Sequence, residues 1–96
     1  MVDTIDQVGT EPLVLQSALK REGVTERDLL HAYALQLGYL VDERHADGPM
    51  ILYVGPSASG AVLLEVGVLG RPWPGLVVIA HGMKARPWVL KKIGLG

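Results

Sequence analysis

Residues 61–69 read Ala61-Val62-Leu63-Leu64-Glu65-Val66-Gly67-Val68-Leu69, an apolar run broken once, at its centre, by an acid. Its branched residues favour an extended chain. Alternation then sets Ala61, Leu63, Glu65, Gly67 and Leu69 on one side of the strand and Val62, Leu64, Val66 and Val68 on the other. Three further stretches read the same way, at residues 39–43, 50–54 and 76–81, the last rich in Val77, Val78 and Ile79. The connections Ala46-Asp47-Gly48-Pro49, Gly55-Pro56-Ser57-Ala58-Ser59-Gly60 and Gly70-Arg71-Pro72-Trp73-Pro74-Gly75 are turn-forming and short enough to join antiparallel neighbours.

Helical signals precede the strands. Thr10-Glu11-Pro12 predicts a helix over 12–21, with Thr to cap, Glu to complement the positive end and Pro in the first turn. Thr25-Glu26-Arg27-Asp28 matches a capping box and predicts a second helix to about residue 36, with Leu29, Leu30, Tyr33, Ala34 and Leu37 on one stripe. A short helix over 86–92 closes the chain, Pro87 being tolerated in its first turn. The expected fold is therefore α+β: two N-terminal helices packed on a four-stranded antiparallel meander, with a short C-terminal helix. A chain of 96 residues is expected to form one domain, residues 1–9 being a polar lead-in.

Composition narrows the function. Although 49% of residues are hydrophobic, no apolar run approaches the roughly 18 residues of a membrane helix, and no secretory signal opens the chain. A soluble, cytoplasmic protein without membrane contact is expected. The absence of cysteine removes disulfides, thiolate metal sites and cysteine nucleophiles. His31, His45 and His81 lack metal-ligand spacing, so neither metal nor cofactor is expected. Residues 1–48 hold nine acids and four bases, and residues 49–96 hold one acid and five bases. Such asymmetry marks either an anion-binding surface or two halves that pair with each other.

The chemistry-bearing residues gather where the last strand runs into a basic segment, from His81 to Lys92. His81 either transfers protons near neutral pH or is a satisfied strand-end histidine. Glu65 either orients His81 or Arg86, or acts as a base with its pKa raised by burial, or simply lies on an open sheet face or forms one ion pair. Arg86, Lys84, Lys91 and Lys92 are suited to phosphates, Arg by a bidentate fork and Lys as a point charge. Trp88 offers a ring on which an RNA base could stack, with Tyr39, Tyr53 or Trp73 assisting, or else packs on the sheet. His31 reads as a helix-surface residue and His45 as a loop residue. The serines of the 55–60 connection form no nucleotide-binding or hydrolase motif.

Three segments in register resemble BrnT-like toxins, in particular an actinobacterial branch. Lys20-Arg21-Glu22-Gly23-Val24-Thr25-Glu26-Arg27-Asp28-Leu29-Leu30-His31-Ala32 is similar to a K-H-G-V-[ST]-x-x-[DE]-[IA]-x-x-A region. Val54-Gly55-Pro56-Ser57-Ala58-Ser59-Gly60-Ala61-Val62-Leu63-Leu64-Glu65-Val66 is similar to V-G-x-x-x-x-G-x-L-L-E-V, and His81-Gly82-Met83-Lys84-Ala85-Arg86-Pro87 to H-A-M-P-x-R-P. The chain departs from the pattern in lacking an opening aromatic-x-Asp-x-x-Lys stretch, and in carrying Arg21-Glu22, Gly82, Lys84 and Trp88.

The resemblance implies a RelE-type ribonuclease superfold and a type II toxin that cleaves RNA without metal and is neutralised by an antitoxin protein. It implies proton transfer by His81, phosphate stabilisation by Arg86 and Lys84, and an orienting or basic Glu65, with Lys91, Lys92 and Trp88 on the RNA. The alternative is a non-catalytic member of the same fold that binds a partner or forms a homo-oligomer. An enzyme is expected to arrange His81, Arg86 and Glu65 around one open concavity, and a binding module to leave them dispersed while an apolar sheet face is exposed.

Overall fold

A computed structural model describes residues 11–44, 48–70 and 74–96. Five strands form one mixed sheet: β1 (Leu13–Val14), β2 (Gly38–Asp42), β3 (Met50–Pro56), β4 (Leu63–Leu69) and β5 (Val78–Lys84), in the order β1-β5-β4-β3-β2. β2 to β5 are antiparallel neighbours, whereas β1 runs parallel to β5. Two α-helices complete the described fold, α1 (Glu26–Ala34) and α2 (Pro87–Lys92). The expected lead-in at residues 1–9, the cap at Thr10, the loop residue His45 and the aromatic Trp73 lie outside the described residues.

The expectation of two N-terminal helices on a four-stranded antiparallel meander is overturned. Residues 12–21 contribute the strand β1 and one 3-10 turn, Gln16–Leu19. The cause is tertiary. The outer edge of β5 offers carbonyls, and the segment satisfies them: Leu13 N donates to Val77 O and Leu15 N to Ile79 O, each at 2.9 Å. Ser17 Oγ continues the line by donating to Ala80 O at 2.7 Å. A short isolated helix is marginal because nucleation fixes several residues for one hydrogen bond. A ready strand edge outcompetes it.

α1 begins where the capping box placed it, with Asp28 N donating to Thr25 Oγ1 at 3.1 Å. Its apolar side meets the sheet. Ala18, Leu29, Ala32, Leu64, Val66, Val68 and Ile79 form one buried cluster on this face. The opposite face holds a second cluster, Met50, Leu52, Val54, Ala80 and Val89, under α2. α1 is also tied to the β3–β4 connection, because His31 Nδ1 donates to Pro56 O at 2.9 Å and Ala58 N donates to Asp28 Oδ1 at 2.9 Å. The Ala58 amide leads the causes that hold the Asp28 carboxyl below its usual range. His31 is thus a loop anchor as well as a helix residue.

Contact between α1 and β3 is close enough to require glycine at position 55. A Cβ there would collide with the backbone carbonyl oxygen of Ala32. Gly55→Ala is therefore expected to destabilise the protein by about 2–3 kcal/mol, since overpacking against backbone forces an element to shift. Urea denaturation measures this. An unchanged midpoint would mean that α1 does not approach β3 so closely.

Candidate functional site

One irregularity in the sheet creates the site. Gly67 of β4 pairs with His81 of β5, but the next residue, Val68, pairs with Ile79, so Ala80 is an extra residue in β5. Regular alternation would send Ile79 and His81 to the same face. Instead Ile79 enters the α1-side cluster and Ala80 the α2-side cluster, while His81 swings round to bond Glu65. A bulge re-aims side chains in this manner. Gly67 provides the room, because a Cβ there would meet Met50 Sδ and lie 2.7 Å from His81 Cβ. Ser17 engages the carbonyl of the bulged Ala80.

Glu65, His81 and Arg86 then converge beneath α2. Glu65 is completely buried, at 0% exposure. His81 Nε2 donates to Oε2 at 2.9 Å, and the amide of Arg86 donates to Oε1 at 2.9 Å. The Arg86 side chain adds Nε, 3.1 Å from both oxygens, and Nη2, 2.6 Å from Oε2. A carboxylate offers about four lone-pair sites, and these donors occupy them. No buried side-chain nitrogen or oxygen among the described residues lacks a partner.

The electrostatics follow from that geometry. Burial alone would push the Glu65 carboxyl up, but hydrogen bonds from His81 and Arg86 and the guanidinium charge outweigh it and hold the pKa at about 2. The same bonds raise the Arg86 pKa further. Since an ionised carboxylate only accepts, the bond to His81 places a proton on Nε2. The Arg86 guanidinium also stacks over Trp88, 5.2 Å from the ring centre, an arrangement in which the ring quadrupole attracts the cation.

The expected site residues therefore divide. His81, Arg86 and Glu65 come together, but Glu65 is closed off and His81 is only 9% exposed. Trp88 covers Arg86 and shares with Lys92, Leu40, Val41, Asp42, Glu43 and Arg44 an open groove of about 430 Å³ along β2. Two acids and two bases line it, so it is not a basic channel. Lys91 is exposed on α2. Lys84 ends β5 opposite Leu64, on the α1 side of the sheet and away from Arg86. Ser17, Gly67 and Asp42 are contributors that reading the sequence did not single out. For Gly67 a signal existed, since a glycine inside a strand often marks a bulge or a close approach.

No family model, no curated protein and no solved structure matches the chain. Among the described residues no group of three or more His, Cys, Asp or Glu could hold a metal ion, and no helix is long and apolar enough to cross a membrane.

The Glu65 pKa sets a pH dependence. A carboxyl depressed from 4.5 to about 2 stabilises the fold fully above its unfolded pKa, and this contribution is lost as pH falls through the folded value. Wild-type stability is therefore expected to fall between about pH 5 and pH 2, and Glu65→Gln to lose that part of the slope. At neutral pH the same substitution is expected to cost about 3 kcal/mol, because it leaves Arg86 and His81 without their anion. Denaturant titrations across pH measure both. An identical slope in the variant would detach Glu65 from the acid response.

Proposed function

We propose that the chain is a non-catalytic binding module of α+β fold that recruits a protein partner through β2 and the exposed apolar side chains beside it. The observation that carries this reading is the closure of Glu65: it is wholly buried and its oxygens are saturated. A carboxylate with a pKa near 2 and no accessible lone pair is a poor general base, since an effective base titrates near the working pH. It acts here as a clasp that fixes α2 on the sheet. Meanwhile Tyr39 and Val41 of β2, and Leu35 and Leu37 in the connection from α1, stand 53–60% exposed. Clustered apolar side chains at an open strand mark interaction surfaces. The resemblance to BrnT-like toxins supports a protein partner, because an antitoxin binds those proteins.

A second reading is a metal-independent endoribonuclease toxin in the cytoplasm. One observation favours it: Glu65 of β4 meets His81 and Arg86, 16 and 21 residues further along the chain, at one point. In that reading Arg86 would meet a phosphate with Nη1, which makes no hydrogen bond among the described residues. His81 would move the proton, and Glu65 would position both.

The two readings separate in one assay. Purified wild type, incubated with total RNA in a chelator, is expected to leave the RNA intact, and its expression to leave growth unaffected. Cleavage that His81→Ala and Arg86→Ala both abolish, with circular dichroism unchanged, would overturn the binding-only reading and establish the ribonuclease.

A further inference from the structure

We infer that the C-terminal segment, residues 86–96, is a strap that leaves the sheet as a unit when the clasp between Glu65 and Arg86 opens, uncovering the apolar face beneath it. The strand register shows its path. Glu65 of β4 pairs with Val54 of β3, and Val54 pairs with Gly38 of β2, so the three form one row across the strands. The segment starts at Glu65, to which Arg86 is bonded, and places Val89 in the cluster of Val54. It ends over Gly38, where a Cβ would be 3.4 Å from Ile93 Cδ1.

The strap is closed on itself at its far end. Leu95 N donates to Leu90 O at 2.8 Å and Gly94 N to Lys91 O at 3.1 Å, with Gly94 at a φ of +83°. These two bonds make a Schellman motif, which satisfies the last carbonyls of a helix from within the segment. Among the described residues, every hydrogen bond of residues 87–96 stays within 86–95. The front end is built differently. Arg86 makes no side-chain cap on its own helix, and its amide and guanidinium both turn to Glu65. Among the described residues one carboxylate therefore makes the whole polar attachment, and Val89, with the partly buried Leu90 and Ile93, makes the apolar one.

α1 is held more firmly. It is capped by Thr25, buries Leu29 and Ala32 completely, and is tied to the β3–β4 connection through Asp28 and His31. Elements with few buried contacts open at a lower free energy than the whole fold, and six helical residues do not hold a helix alone. The hinge lies after Ala85, whose amide still belongs to the sheet through Leu63 O at 2.9 Å. Release uncovers Met50, Leu52 and Val54 of β3 with Leu40 of β2. It also removes Trp88 and Lys92, the wall of the groove along β2. The strap thus sets which face of β2 is accessible, and the inference concerns the chain alone, without need of the binding reading.

Thiol labelling tests it, because the chain has no cysteine and a single one reports its own site. Val89→Cys marks the strap and Ala32→Cys the opposite cluster, with circular dichroism and urea unfolding recorded for each variant. In native buffer Val89→Cys is expected to react with a maleimide at least about tenfold faster than its own global unfolding allows, and with a shallower urea dependence, since a local opening exposes less surface. Ala32→Cys is expected to react only as fast as global unfolding permits. Adding Glu65→Gln is expected to speed labelling of Val89→Cys at least about tenfold, since labelling follows the population of the open form. Equal urea dependence at the two positions would overturn the strap, because α2 would then leave only with the whole fold. Local labelling of Val89→Cys that is indifferent to Glu65→Gln would overturn the clasp as its catch.

Discussion

Glu65 is the charge on which the arrangement turns. Removing a carboxylate from water is costly, and the cost is recovered only when its lone pairs are filled and a cation stands close. Here the donors come from β5 and from the start of α2, so satisfying one side chain fixes three elements. The Arg86 amide and fork anchor the first turn of α2, and His81 fixes the bulged register of β5. Val89 of α2 is then held in the cluster formed by Met50, Leu52, Val54 and Ala80. The apolar layer and the ion pair are mutually dependent, because burial strengthens the pair and the pair seats the helix that buries it.

That dependence reaches the opposite edge of the sheet. His81 can turn toward Glu65 only because Ala80 is inserted, and the carbonyl of Ala80 is taken up by Ser17. The N-terminal segment therefore serves as an outer strand beside the bulge. At the far side, among the described residues, β2 has no such cover. Among the described residues β1 covers the edge of β5, while β2 ends the sheet with Tyr39 and Val41 exposed.

Much of the site was legible in the sequence. An acid in the middle of an apolar strand demands a partner, and the basic segment after the last strand contained both. The faces of β4 followed from alternation, and the Thr25 cap followed from residue type. Three features were not legible. The first is β1, whose strand state belongs to the edge of β5 and not to local propensity; Pro12, Ala18 and Leu19 equally suit a helix. The second is the face of His81, since simple alternation from Ile79 gives the wrong side and only the bulge corrects it. The accessibility of Glu65 was likewise invisible, because burial depends on where α2 settles. The catalytic and structural readings of one carboxylate differ in that single property.

A double-mutant cycle between Glu65 and Arg86 probes the clasp most directly. Glu65→Gln, Arg86→Gln and the double variant would be unfolded in urea at neutral pH beside the wild type. If the pair seats α2 on the sheet, the two losses should be strongly non-additive, with a coupling energy of about 2 kcal/mol or more. Losses that add to within about 0.5 kcal/mol would contradict the account, for then the two side chains do not depend on each other.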